Sequence, residues 1–503
     1  MEYIKVPSSI NISDLLEKNY SLSARQYKRY TIENNNSVKL KDLLDRELIK
    51  SDLGIEVGSE NYINKSEFYF VKTKALQSDS YLLDINNESF QCIKPQSFIN
   101  MNLKEGDLII SKDSNVGEIA ILDKDYPCAM LCGAIYKLPI SKHKLYILAF
   151  IKSKMFREQL DYIIPKGSTI KHGKKLFLEA LITFPSNTEI IDYVEKMMNS
   201  IIEKEMEIKK KHIEIMKIIS HEINCNQDKD NFIYRYPTIN EIMDKKRMDA
   251  QHYSKSFKEM NYLIEHYRYG SFLLKDKDYK IKRGQNLQIS NIGLSIYKDE
   301  VFNDSYKLIL SQNLNRYGLI NKYLYLGNKN KLAVLNEGEI VLSARGHVGR
   351  SFVVLDKIAN NITNIDSLVL YGNKDKQFSI YIHLIMDYFR ENGYLKKYAI
   401  NGSGAESLTK YQLERIKFPM LRKNIYEKVT KLYYNPESLN VFDDVGNSNF
   451  DVLDKKFNRV AGIFDLDQIK KAMALNLDTV LKGVINDKKI ETSFEFLKEV
   501  NKL

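Results

Sequence analysis

The chain is 503 residues long, 44% hydrophobic and 28% charged, and carries a net charge of +11. That length predicts two to four domains, each able to bury its own core. No run of about 18 uncharged apolar residues occurs, and the first twenty residues place Glu2, Asp14 and Glu17 among the apolar positions, unlike a signal peptide. A cytoplasmic protein with no membrane contact is therefore expected. The positive balance favours a polyanionic partner. The four cysteines, Cys92, Cys128, Cys132 and Cys225, suggest no disulfide framework. Cys128 and Cys132 stand four apart without a second Cys/His pair to complete a metal site, so no metal is expected.

Residues 38–46 and 67–76 read as short helix or strand pieces. The segment GDLIISKDSNVGEIAIL (Gly106 to Leu122) predicts a hairpin with strands DLIIS and EIAIL, and Gly117 gives the tight return its conformational freedom. An amphipathic helix near 145–160 follows, then a small-residue loop containing IPKGSTIKHG, then a strand ending at Pro185.

Between Glu189 and Ile223 there is neither Gly nor Pro. Val194, Met197, Ile201, Ile208, Ile215 and Ile219 recur at spacings of three, four and seven, as one face of a helix requires. The run EKEMEIKKKH gives the opposite face a solvated, mixed-charge character. About 35 residues of helix make a rod of roughly 50 Å. A stripe of this kind needs cover. It packs either against the chain's own domains or, the preferred alternative, against a partner as a coiled-coil spacer or docking surface.

The hairpin then returns as GEIVLSARGHVGRSFVVL. Gly106, Ser111, Val116 and Gly117 match Gly338, Ser343, Val348 and Gly349 at an offset of 232 residues. YILAFIKSKMFREQL (Tyr146 to Leu160) is answered by YIHLIMDYFRENGYL (Tyr381 to Leu395) at an offset of 235, which also carries Gly167 and Ser168 onto Gly402 and Ser403. The strand ending at Pro185 is answered by LERIKFP, ending at Pro419. SARQYKRY has a looser echo in MDAQHYSKSF, pairing Ala24 and Tyr27 with Ala250 and Tyr253. Several landmarks in one order at nearly constant offsets indicate duplication of a whole α+β domain, with a period too long for a solenoid. In the tail, NIYEKVTKLYYNPESLN is cut at Pro436, and only FDLDQIKKAMALNLDTVLKGVI looks helical.

Catalytic constellations are missing. There is no Gly-x-Gly-x-x-Gly loop, no Gly-Lys-Ser/Thr phosphate loop, no His-Glu-x-x-His and no Pro-Pro pair. His172, His212, His221 and His347 lack ligand partners at metal spacing, and Asp107 and Glu339 read as turn-formers. The loops suit binding better. The first hairpin presents Lys112, Ser114 and Asn115, and the second presents Arg345, His347 and Arg350. The later loops add Lys166, Ser168, Thr169, Lys171, His172 and Lys174 in one copy, and Ser403 and Lys410 in the other. Small residues admit backbone N–H groups to phosphate oxygens. Lys and Arg neutralise charge, while Arg, Asn and His reach base edges. Any one of these positions fits a plain exposed loop equally well. Two readers of different sequences, however, require a kept frame with changed loops.

The order of hairpin GDLIIS…VGEIAIL, loop KGST, strand ITFP and long charged helix resembles the specificity subunit of type I restriction–modification enzymes, over roughly residues 20–435. The resemblance implies two target-recognition domains, 1–187 and 226–420, joined by a helical spacer over 188–225 and followed by a C-terminal helical region over 421–503. It implies double-stranded DNA as ligand, each domain reading half of a bipartite site. It leaves this chain non-catalytic and without a cofactor. Adenine methyltransferase subunits would supply S-adenosylmethionine chemistry, and a motor nuclease using ATP and magnesium would cleave. The chain departs from the family pattern where a second long helix should follow the second domain, which leaves a short internal coiled coil or a tail with another task. The alternatives are a scaffold that binds RNA or protein through duplicated domains and, further off, a nuclease or methyltransferase with unfamiliar motifs.

Overall fold

The apolar run Leu108-Ile109-Ile110 has no alternation, the signature of a strand covered on both faces, and the computed structural model of the chain buries all three residues completely. The structure describes residues 3–17, 20–22, 27–30, 32, 34–86, 88–164, 173–228, 232–245, 247–355, 360–399 and 406–500. They fall into two units. The first comprises Met1–Met206, Phe442–Lys455 and Gln468–Val500, and the second Glu207–Val441 and Lys456–Asp467.

In the first unit a short antiparallel pair, Ile4–Lys5 with Arg29–Tyr30, precedes the strands β1 (Ser37–Lys39), β2 (Tyr69–Val71), β3 (Phe90–Cys92), β4 (Leu108–Ser111), β5 (Ile119–Ile121), β6 (Ala129–Leu131), β7 (Ile135–Leu138) and β8 (Leu181–Thr183). An antiparallel sheet runs β5-β4-β7, a mixed sheet runs β3-β2-β6, and β1 pairs with β8. The expected helix after the hairpin is two helices, α1 (Lys144–Lys152) and α2 (Lys154–Ile163). The break falls at Ser153, whose extended backbone and side-chain cap on the Phe156 N–H start α2.

The second unit has β9 (Ser271–Leu273), β10 (Lys280–Arg283), β11 (Ser295–Lys298), β12 (Tyr306–Ile309), β13 (Leu324–Asn328), β14 (Ile340–Ser343), β15 (Ser351–Val353), β16 (Asn361–Thr363), β17 (Ser367–Tyr371) and β18 (Lys417–Pro419). Its sheets run β10-β17-β14-β15 and β11-β13-β12-β16, with β9 on β18. The sheets β5-β4-β7, β3-β2-β6 and β1-β8 each have a counterpart here, and the two larger ones each gain a strand, while the pair Ile4–Lys5 with Arg29–Tyr30 has none among the described residues. Among the described residues each unit has one parallel strand pair, and it falls at the same place, Tyr69 opposite Ala129 and Lys307 opposite Asn361.

The duplication extends to single hydrogen bonds. Gly106 and Gly338 donate to Leu122 and Val354 at 2.9 and 2.8 Å, and Gly117 and Gly349 donate to Ser111 and Ser343 at 2.8 and 3.0 Å. Gly117 and Gly349 both have left-handed backbone, φ +81° and +88°, and a Cβ on either would meet Leu160 or Leu395. Those leucines are themselves related by the offset of 235, so the glycines allow hairpin and helix to touch. Tyr27 and Tyr253 also repeat one bond, each hydroxyl donating to a carbonyl six residues earlier, Ser21 at 2.5 Å and Arg247 at 2.6 Å.

The Gly- and Pro-free stretch is one helix, α3, over Thr188–Cys225. At 1.5 Å per residue its 38 residues rise about 57 Å. Its first part belongs to unit one, its remainder to unit two. The expected docking stripe is corrected here: Val194, Met197, Ile201, Ile208, Ile215 and Ile219 are all buried by the chain itself. Tail segments are bonded along this helix. There α4 (Lys376–Glu391) and α5 (Tyr394–Ala399) of the second unit are followed by α6 (Lys423–Tyr433), α7 (Phe450–Val460) and α8 (Ile463–Ile485). Within unit one, Ser200 Oγ donates to Asp454 Oδ2 at 2.7 Å, Lys204 pairs with the same carboxylate, and the Tyr193 hydroxyl donates to the Ser493 carbonyl at 2.7 Å. Within unit two, Lys211 Nζ donates to the Arg459 carbonyl at 3.2 Å and Arg422 grips Glu222 with two nitrogens at 2.8 and 2.6 Å. Among the described residues no helix is long and apolar enough to cross a membrane, and no group of three or more His, Cys, Asp and Glu side chains could hold a metal ion.

Candidate nucleic-acid interface

The first strand of each hairpin ends in a serine that shapes the turn after it. Ser111 Oγ donates to the Asp113 carbonyl at 2.7 Å and Ser343 Oγ to the Arg345 carbonyl at 2.9 Å. The next turn position is left-handed in both, Ser114 at φ +64° and Gly346 at +76°. A second segment is fastened alongside: Lys112 N–H donates to Ala134 at 2.8 Å, and Ala344 N–H to Asp366 at 2.9 Å. A third arrives from the loop before the last strand, Gly173 N–H donating to Lys112 at 2.8 Å and Leu408 N–H to Ala344 at 2.9 Å. Each unit therefore gathers three distant stretches at one rim through the same backbone bonds.

The side chains on that shared frame differ at nearly every position. Lys112, Asp113, Ser114, Asn115 and Glu118 in one unit stand where Ala344, Arg345, Gly346, His347 and Arg350 stand in the other. Two of these replacements reverse charge. Backbone amides and short side chains form the turn, and its exposed residues are polar or charged, a surface that can donate to phosphates and base edges.

The proposed contact residues occupy this rim unevenly. Ser114 and Asn115 are exposed at the turn tip, and Lys174, also left-handed, is exposed beside it. Lys112 is only partly exposed and its ammonium is paired with Asp113, which reduces what it can offer a phosphate. Arg345 and His347 are exposed. Arg350 is half-buried and donates to the Leu314 carbonyl at 2.7 Å, so it braces the frame. Lys410 is exposed and lies 3.7 Å from Glu414. Lys166, Ser168, Thr169, Lys171, His172 and Ser403 lie outside the described residues. Of the histidines without an expected role, His212 is buried and structural, its Nε2 lying 3.1 Å from Glu391 Oε1.

Two rim residues were not expected from sequence. Arg283, exposed at the end of β10, donates Nη1 to the Ile365 carbonyl at 3.2 Å. Asp366 Oδ1 lies 3.4 Å from Arg345 Nη1. No spacing rule links residues 283, 345 and 366. Only the pairing of β10 and β14 on β17 assembles them.

No protein-family model matches the sequence, and no curated relative matches it. Solved structures are similar over most of its length. The type I restriction–modification S subunit from M. genitalium is 13% identical, with 91% of this chain and 98% of that chain covered and a TM-score of 0.35. The HsdS subunit from Thermoanaerobacter tengcongensis is 11% identical, covering 90% and 97%, with a TM-score of 0.25. A structure concerned with complex assembly and conformational transition of the type I restriction–modification system is 11% identical, covering 92% and 100%, with a TM-score of 0.28.

Proposed function

We propose that this chain is a DNA-recognition subunit of the type I restriction–modification kind. In this proposal residues 1–187 and 226–420 each read one half of a bipartite double-stranded site, 188–225 form the spacer, and 421–503 are the C-terminal helical region. The observation that carries it is the duplicated rim: a backbone frame kept bond for bond, with its outward residues replaced. Selection for one ligand would keep the side chains, and loss of function would loosen the frame. Two ligands of one chemical kind but different detail would give what is found, and the two halves of a split DNA sequence are such a pair. The net charge of +11 suits the phosphate backbone.

Ser114, Asn115 and Lys174 are the contacts proposed for the first half-site, with Arg345, His347 and Lys410 for the second. The chain itself would be non-catalytic, and adenine N6 methylation and cleavage would belong to partner subunits. Since the stripe of α3 is covered from within, partner docking needs another surface. Among the exposed apolar residues, one group recurs at matching places in both units. Ile12, Leu16 and Leu22 are 77%, 50% and 89% exposed, and Ile239, Met243 and Met248 are 76%, 69% and 90% exposed. They sit on and just after the short helices Ile12–Glu17 and Ile239–Lys245. A methyltransferase subunit with one apolar groove would find this feature twice.

The test is selection from a random duplex pool by the chain in complex with its methyltransferase. Two short fixed blocks separated by unconstrained bases are expected. A single continuous block, or equal preference for RNA, would instead support a general scaffold.

A further inference from the structure

The rim of the second unit holds an arrangement that the first lacks. Arg345 and Asp366 are both solvent-facing, with side chains 53% and 39% exposed. Asp366 is anchored from behind, its Oδ2 accepting from Asn364 Nδ2 at 2.9 Å and its backbone carbonyl accepting from Ala344. Arg283 reaches the same 364–366 turn from another strand. The following residue, Gly284, is pressed so close that a Cβ there would lie 2.1 Å from the Asn364 carbonyl oxygen. At the equivalent positions the first unit has Leu53, Asp113 and Ala134, so no guanidinium stands there. Beside Arg345, Gly346 has no atom of the described residues within 4 Å of where a Cβ would be.

A guanidinium fork can serve a phosphate or the paired O6 and N7 acceptors of guanine. The carboxylate decides between them. It accepts from one edge of the fork, Arg345 Nη1 lying 3.4 Å from Asp366 Oδ1, and its own negative charge disfavours a phosphate at that place. A base edge carries no net charge, and the cytosine amino group opposite guanine can donate to a carboxylate. Resting on the DNA-reading function proposed above, we infer that Arg345 reads a guanine in the half-site of the second unit, with Asp366 as its positioning residue, while Arg283, which makes no ion pair among the described residues, takes the neighbouring phosphate. The first half-site is read without an arginine at this position.

The experiment selects duplexes from a random pool with the partner-bound chain, as wild type, R345A, R345K, D366N and R283A. It then titrates the selected wild-type site carrying 7-deazaguanine at each guanine in turn. Wild type should fix at least one guanine in the second block and lose about tenfold or more in affinity when that N7 is removed. R345A and R345K should release that position alone and be indifferent to 7-deazaguanine there. D366N should relax the same position while steepening the salt dependence of non-specific binding, a change that mere loss of folding would not produce. R283A should weaken all sequences alike and lower the salt slope by about one. A second block with no guanine, or 7-deazaguanine without effect at any position, would overturn the inference while leaving DNA reading intact. So would R345A weakening all sequences alike. A wild-type complex that selects no sequence at all would overturn both.

Discussion

The backbone N–H of Leu408 donates to the carbonyl of Ala344 at 2.9 Å, tying the last loop of the second unit to its hairpin turn. Gly173 and Lys112 make the same bond at 2.8 Å in the first. Neither bond uses a side chain, so the tips of the turns are interchangeable in principle. Replacing Lys112–Asn115 by Ala-Arg-Gly-His should leave the unfolding free energy from urea titration within about 0.5–1 kcal/mol of wild type, while altering only the first block of the selected sequence. A change in both blocks, or a fall in stability of several kcal/mol, would show that the turns are not independent.

The two hairpin glycines are required by backbone and by packing. Gly117→Ala and Gly349→Ala should each destabilise the chain by about 1–2 kcal/mol from the left-handed backbone alone. Gly117→Ala should cost more, because its Cβ would fall 2.1 Å from Leu160 Cδ1 against 2.8 Å from Leu395. Adding Leu160→Ala should not worsen G117A as much as it worsens wild type, since it removes the clashing atom. Full additivity in a double-mutant cycle would contradict that contact.

Lys204 is fully buried and its ammonium is matched by Asp454 and Ser200. Burial pulls the ammonium pKa down and the facing carboxylate opposes this. Asp454→Ala removes the carboxylate that matches the buried ammonium and should cost about 3–5 kcal/mol, while the double variant Lys204→Met/Asp454→Leu should recover most of that loss. Denaturant unfolding checks both. A double variant no more stable than D454A would mean that the pair does more than satisfy itself.

His383 is wholly buried against Tyr433, with Nδ1 2.7 Å from Ser351 Oγ. Burial lowers its pKa from 6.5 to about 4. The unfolded chain therefore binds the proton more readily, and the stability from keeping this ring neutral is present above pH 6.5 and lost as pH falls towards 4. Between pH 7 and pH 5 the loss should be about 2 kcal/mol. His252, also lowered by burial to about 4, adds a slope of the same sign. His383→Asn should be less stable at neutral pH yet show a clearly flatter pH dependence over that interval. An unchanged slope would place the titration elsewhere.

The bare apolar residues make a prediction about assembly. Leu22→Asp and Met248→Asp should not destabilise the isolated chain, because both side chains are about nine-tenths exposed. Each should weaken capture of one partner methyltransferase, and together they should abolish it. Unimpaired capture by the double variant would send the docking surface elsewhere.

Much of the frame was legible in the residues. The hairpins, the helices after them and the long α3 declare themselves through apolar runs, a period of 3.6 and glycines that recur at one offset. The cover on α3 was not legible, because periodicity reveals an apolar face without revealing what packs on it. The tail conceals its helices by shortness: α6 and α7 span 11 residues each, and Pro436 and the sequence GNSN interrupt the pattern between them. The Arg283 and Asp366 pairing around Arg345 was also beyond reach, since it depends on strand register across 83 positions of chain. Loop residues such as Ser114 could be named but not ranked, because exposure and local pairing, as between Lys112 and Asp113, arise only in the fold.

The central claim, that the two units read separate halves of one DNA site, is tested most directly by mapping methylated adenines in cells expressing the chain with its partner methyltransferase. A split motif with an unspecified gap is expected. Exchanging residues 20–185 for those of a relative with a different site should alter one half of the motif and leave the other unchanged. A continuous motif, a change in both halves, or methylation independent of this chain would contradict it.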